Sequence, residues 1–275
     1  MISFHDILYV SPAAISKIAL QLGPFAIHWY AILIVIGAVL AVIVAMREAP
    51  RKGLTGDDVI DLLLWAFVPA LIVTRAYYVA FQWDYYSQNP SQIIAIWDGG
   101  GAIYGTIIGG AIVLVIFCRV RHINILDMLD IVMPGVLLAQ GIGRWGNFIN
   151  QEAYGGAVSN LNWLPSFLRN QMYIDGSYHL PTFLFESIPD LVGAILIIAF
   201  RHKLKLRRGE VFAFYLIWYG ITRFIVEGMR DDSLMFLGAR VSQVLSGVLV
   251  VIGVLYIGYQ RLTQDPEKLA QKEQK

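Results

Sequence analysis

Between Gly143 and Glu152 the chain places one guanidinium (Arg144), three carboxamides (Asn147, Asn150, Gln151) and one carboxylate (Glu152), directly after a long apolar stretch. Polar groups crowded at the edge of an apolar segment are costly and mark a place where an anion or a reacting group is handled. Arginine suits bidentate binding of phosphate or carboxylate, so the chemistry indicated is anion capture with stabilisation of developing negative charge. Further groups of the same kind lie elsewhere. Arg75, Tyr30 and Tyr104 fall in or beside other apolar stretches, and Tyr219, Arg223, Glu227 and Arg230 follow at spacings that share one helical face. The histidines (His5, His28, His122, His179, His202) are scattered, and the one cysteine, Cys118, sits inside an apolar run. No disulfide, metal or cofactor is expected.

The elements that must position these groups follow from composition. With 57% hydrophobic and 15% charged residues, the 275-residue chain lies outside the range of soluble domains and reads as a single integral membrane domain. Its net charge of +1 comes with basic residues in short clusters, which excludes a nucleic-acid-binding stripe. Seven stretches are apolar and roughly long enough to span about 30 Å of hydrocarbon: 22–46, 59–81, 102–118, 125–142, 183–200, 211–226 and 241–259. The first lacks the basic flank of a cleavable signal and is read as a retained span.

Arg47, Arg51 and Lys52, then Arg119 and Arg121, then the five basic residues between Arg201 and Arg208, mark alternate connections as cytoplasmic. The connection 82–101 has no Lys or Arg, and Trp83, Tyr85, Tyr86, Trp97, Trp145, Tyr154 and Trp163 mark the outer interface. The expected architecture is an all-α polytopic membrane protein with seven transmembrane helices, N-out and C-in. A small extracytoplasmic head occupies about 144–181, and a cytoplasmic tail runs over 262–275.

On this frame Arg75, Tyr30, Tyr104, Arg144, Glu186, Tyr219, Arg223 and Glu227 share one depth, in the outer leaflet. One arginine at a helix end reads as snorkelling to headgroups. Arg223 lies several residues inside its span, with Glu227 one turn away as a partner. Several arginines at one depth on different helices fit a receptor for a phospholipid phosphate. Asp127 and Asp130 fall at the opposite side and are expected to be structural or to pair with basic loop residues. Gly109-Gly110 reads as helix packing, and Gly99–Gly101 as a hinge or ligand-side loop. A transporter would extend its polar groups through both leaflets and show internal repeats, and neither pattern is present.

These residues resemble the bacterial phosphatidylglycerol:prolipoprotein diacylglyceryl transferase family. The resemblance runs through His28-Trp29-Tyr30, Arg75-Ala76-Tyr77-Tyr78, the glycine block up to Gly110, Gly143-Arg144-Trp145-Gly146-Asn147-Phe148-Ile149-Asn150-Gln151-Glu152-Ala153-Tyr154-Gly155, Pro181–Glu186 and Tyr219–Glu227. It implies a bacterial cell-membrane enzyme that transfers the diacylglyceryl group of phosphatidylglycerol to the lipobox cysteine of a prolipoprotein signal peptide, releasing glycerol phosphate. Many members carry a histidine, considered important for activity, where this sequence has Tyr104. Tyrosine at that position resembles members from Gram-positive bacteria.

Thioether formation requires a thiolate, a stabilised leaving phosphate and aligned substrates. Arg144 and Arg223 are the candidates for holding the phosphate, and Asn147, backed by Asn150, for donating to glycerol or phosphate oxygens. Gly155 is expected to permit close backbone approach. Arg75, Tyr30, Tyr219 and Glu227 are read as supporting or headgroup contacts. A thiol beside arginines is already partly ionised. Tyr104, with an ordinary pKa of about 10, is a weak base and is assigned positioning or proton relay. Glu152 is the alternative base, or it orients Arg144. Tyr104→Phe should therefore lower transfer of labelled diacylglycerol to a lipobox peptide only modestly; complete loss would make the hydroxyl chemically central.

Overall fold

The computed structural model describes residues 14–23, 25–95, 100, 103–231 and 233–263. The expectations for the amino-terminal leader, Trp97, Gly99, Gly101, Ala102 and the tail from 264 onward lie outside them. The chain divides into two compact units, Met1–Ile43 with Val132–Lys275, and Val44–Ile131.

Among the described residues, seven long helices carry the apolar segments: α1 (Trp29–Glu48), α2 (Gly56–Phe81), α4 (Ile103–Val120), α5 (Ile125–Asn150), α7 (Thr182–Phe200), α8 (Glu210–Glu227) and α9 (Val241–Thr263). Short helices α3 (Trp83–Tyr86) and α6 (Ser166–Gln171) lie between them. Among the described residues, five helices are long and apolar enough to cross a membrane: α1 with its following turn, α2, α5, α7 and α9. The chain is thus a mostly helical, multi-pass membrane protein. The 18-residue α4 is not one of these five, and α8 includes Glu210, Arg223 and Glu227 within its 18 residues. Large apolar side chains on these helices stand bare, Leu64, Phe67, Ile72, Ile195 and Leu255 among them. A face of that kind, on helices this long and apolar, suits contact with lipid.

Three features differ from the sequence reading. The fold is not purely helical: β1 (Ile18–Leu22) and β2 (Phe25–His28) form an antiparallel hairpin. The first helix therefore begins at Trp29 rather than near position 22. Apolar content alone does not separate a strand from a helix, and Gly23, at φ +59°, belongs to the turn. Secondly, α5 continues through Arg144 to Asn150, so the motif's polar residues ride on the helix and the irregular segment starts at Gln151. Thirdly, that segment contains a small sheet of order β3 (Ala157–Val158), β5 (Ser177–His179), β4 (Tyr173–Ile174). Asp175-Gly176, both at positive φ, make the tight turn between β4 and β5. The hairpin β6 (Met235–Phe236) and β7 (Ala239–Arg240) links α8 to α9.

In the unit containing α2 and α4, these two helices pack along their length. Lys52 reaches Asp127 at 3.3 Å and Asp130 at 3.0 Å, the pairing expected for those two carboxylates. Cys118 is fully buried beside the equally buried Phe117. A methyl group at Gly105 would stand 2.8 Å from the Cα of Thr74 and 2.9 Å from the carbonyl of Val73, whereas one at Gly110 would meet nothing within 4 Å. Gly105→Ala should force α2 and α4 apart and cost about 1–3 kcal/mol. Gly110→Ala should instead be neutral or gain up to about 1 kcal/mol from helix propensity. Thermal unfolding of the two variants in the same detergent checks the contrast.

Candidate active site

The carboxyl end of α5 would leave carbonyls unpaired, and a side chain from the segment that follows satisfies them. The amide of Gln171, itself buried, donates to the carbonyls of Phe148 at 3.1 Å and Ile149 at 3.0 Å, while Gln151 donates to the carbonyl of Gln171 at 2.8 Å. An apolar cluster of Phe148, Leu161, Leu164, Leu168, Met172, Ile174 and Phe183 fills the space behind them, with Trp145 and Tyr154 packed against it. This small subdomain holds the last two turns of α5 rigid. Asn147 and Asn150 then present their amides to one oxygen of Glu152, at 3.0 and 3.3 Å.

Helix α7 is docked beside them. Trp145 donates through its indole N–H to Ser187 at 3.1 Å, and the hydroxyl of Ser187 donates to the carbonyl of Gly141 at 2.8 Å. Thr182 donates to the carbonyl of Ala153 at 2.6 Å. These contacts set Glu186, only 2% exposed, against Arg144. The Glu186 carboxylate accepts both arginines: Arg144 on Oε2 and Arg223 of α8 on Oε1. Arg223 also pairs at 2.5 Å with Glu227, one turn further along α8 and likewise 2% exposed. Arg144, Asn147, Ala153, Thr182, Phe183, Glu186 and Arg230 line a narrow cleft that the side chains themselves fill. The arrangement presents two guanidinium groups, backed by carboxylates, beside amide donors. It can accept an anion that displaces the carboxylate between them.

Most of the other residues singled out from the sequence have places in the same unit. The ring of Tyr30 lies where a side chain at position 146 would stand, so Gly146 is the floor on which Tyr30 rests. Tyr219 stacks on Tyr215 with centroids 5.7 Å apart and lies within electrostatic reach of Arg144, Glu186 and Arg223. At Gly155 the close backbone approach is made by the protein itself: an added Cβ would stand 2.6 Å from the carbonyl of Met229, and Gly155 bridges to Arg230. Glu152 engages the two asparagines, and the carboxylate that meets Arg144 is Glu186.

Arg75 and Tyr104 belong to the other unit. Arg75 donates to the carbonyls of Gln92 (2.7 Å), Ile93 (2.9 Å) and Gly100 (2.9 Å) and lies over the rings of Tyr78 and Tyr86. It fastens the connection that leads to Tyr104, whose ring stands 6.5 Å from that of Tyr77.

Glu186 is the residue the sequence reading left without a task. It was visible as a carboxylate within an apolar helix, the signal of a functional intramembrane group, but its partners are distant in sequence. The same applies to Asp190, one turn along α7, fully buried with neither carboxylate oxygen hydrogen-bonded.

A multi-pass helical protein with paired arginines at the buried end of its helices is the class that fold and site define. Residues 17–259 match the prolipoprotein diacylglyceryl transferase family. The chain is 62% identical to the phosphatidylglycerol--prolipoprotein diacylglyceryl transferase of Lactococcus lactis subsp. lactis, over 92% of this chain and 97% of that protein. It is 58% identical to the enzyme of that name from Streptococcus agalactiae, over 91% of this chain and 98% of the other. The Streptococcus pneumoniae protein is 55% identical over 94% of this chain and 99% of its own length. The chain belongs to the prolipoprotein diacylglyceryl transferase family.

Removing one member of a buried ion-pair network strands the charge it neutralised. Glu227→Leu leaves Arg223 with Glu186 alone and should cost about 3 kcal/mol. Glu227→Gln, which keeps the shape and a neutral acceptor, should cost less. Unfolding midpoints in a fixed detergent check the order, and unchanged midpoints for both would show that the pair contributes nothing to the fold.

Proposed function

We infer that the protein carries out its family's reaction, transfer of the diacylglyceryl group of phosphatidylglycerol to a prolipoprotein, the first step of lipoprotein maturation. The observation that carries this reading, beside family membership, is the convergence of Arg144 and Arg223 from two helices on one buried carboxylate. The acceptor is the lipobox cysteine of the prolipoprotein's signal peptide, the bond formed is a thioether, and glycerol phosphate leaves.

The phosphate of the lipid takes the donors of Arg144 and Arg223. As the carbon–oxygen bond breaks, charge gathers on phosphate oxygens already facing two guanidinium groups in a water-poor site, where such stabilisation is worth several kcal/mol. The pair Asn147 and Asn150, with Glu152 behind them, orients the glycerol end. Tyr30, Tyr219, Gly155 and Glu227 support the arginines and the helix ends, Arg75 holds the approach to Tyr104, and Tyr104 positions the substrate.

In this reading all seven helices span the membrane as one integral domain. The basic connections 47–52, 119–121 and 201–208 and the tail are cytoplasmic. The subdomain after α5 is extracytoplasmic, and the reaction takes place in the outer leaflet of the bacterial cell membrane. Helices α4 and α8 support this, because α4 carries a single charged residue, Arg119 in its last turn, and the ionic groups at the end of α8 are neutralised within the protein.

Arg144→Ala and Arg223→Ala should each lower transfer of labelled diacylglycerol from phosphatidylglycerol to a lipobox peptide by about 10²–10³-fold or more. Lysine at either position should restore only part, because a point charge does not reproduce the bidentate fork. Near-normal transfer by both alanine variants would sink the phosphate-holding role.

A further inference from the structure

Resting on the transferase reading above, we propose that Glu186 is the base that takes the proton of the substrate thiol, and that arrival of the lipid phosphate is what frees its oxygens to do so. Each oxygen of Glu186 is occupied by a different guanidinium, Arg144 on one and Arg223 on the other. Oε2 of Glu186 has no hydrogen-bonding group besides that ion pair. A phosphate diester entering the cleft needs those same guanidinium donors and offers them oxygens that fit the fork equally well. Once they turn to the phosphate, both oxygens of Glu186, 2% exposed, are left without their cations at the wall of the cleft and are open to a hydrogen-bond donor brought there.

The surrounding groups favour the same outcome. From α5 only Arg144 faces it as a cation. From α8 come Arg223 and the neutral Tyr219, and across the cleft lies Arg230. On its own helix Ser187 is taken up by Trp145 and Gly141, and Asp190 has no hydrogen-bond partner among the described residues. The available acid is the cysteine thiol brought to the cleft, where Glu186 is a lining residue. Glu152 is different: its oxygen is held by the neutral amides of Asn147 and Asn150 and by neither arginine of the pair.

The step balances. The thiol proton moves to a Glu186 oxygen, and the sulfur lone pair attacks the glyceryl carbon bearing the phosphate. The carbon–sulfur bond forms as the carbon–oxygen bond breaks, and that electron pair goes to the phosphate oxygen. Glu186 then returns its proton to the departing phosphate monoester and recovers Arg144 and Arg223. No oxidant, reductant or further reactant is required.

The test uses the full-length protein in phosphatidylglycerol-containing nanodiscs with two lipobox peptides, one with cysteine and one with selenocysteine. The selenol is already ionised at neutral pH and needs no base. Glu186→Gln should lower transfer to the cysteine peptide by about 10²–10⁴-fold, while transfer to the selenocysteine peptide stays within about tenfold of the unaltered protein. Equal loss with both peptides would make Glu186 a positioning residue for the arginines and overturn the proposal. Should Glu186→Gln fail to fold, Glu186→Asp carries the same comparison, since a carboxylate withdrawn by one methylene should slow the cysteine peptide alone. Absence of transfer to either peptide by the unaltered protein would instead overturn the transferase reading.

Discussion

The structure depends on a charge that cannot be left alone. Two guanidinium groups at the edge of an apolar helical protein require counter-charges, and Glu186 and Glu227 supply them from α7 and α8. Desolvating such groups costs several kcal/mol per ion, so the network persists only where the partners are held in register. Much of the local architecture supplies that register. Ser187 ties α7 to α5 through Trp145 and Gly141, and Gln171 fastens the end of α5. Thr182 anchors the start of α7 to the segment after Glu152. The subdomain that caps α5 is in this sense the support of Arg144.

The same network explains how one site can be stable when empty and receptive to an anion. In the proposed reaction the carboxylate between the two arginines, with one oxygen on each guanidinium, stands where a phosphate would bind. On the proposed reading, entry of the phosphate would exchange one anion for another, so the guanidinium groups would never be bare. The remaining carboxylate, Glu227, keeps Arg223 in place during the exchange.

How much of this could be read beforehand differs from element to element. The apolar segments and their helices were legible because period and length are local properties, and so was the pairing of Asp127 and Asp130 with a basic loop residue. The hairpin Ile18–His28 was not, because its apolar run continues into α1. The last turns of α5 were read as the start of a loop because Arg144, Asn147 and Asn150 are polar. Yet Gly141, Trp145 and Phe148 keep a helical spacing, and the first two face α7. Asp175-Gly176 was a turn signal available in the sequence. Arg144 and Arg223 stood out by residue type and position, but their common partner did not: 42 residues separate Arg144 from Glu186 and 37 separate Glu186 from Arg223. Only the packing of α5, α7 and α8 brings them together.

That Arg144 lies within α5 rather than in the loop after it carries a consequence for how chain length can vary. In a helix each residue turns the next by about 100°, so the direction of a side chain is a phase counted from its neighbours. One residue gained or lost between Pro134 and Arg144 would swing the guanidinium off the face that meets Glu186. The segment between Tyr154 and Leu180 is irregular in large part, and it absorbs such changes in its turns. Descendants of this chain are therefore free to lengthen the subdomain, while the count along the helix beneath it stays fixed.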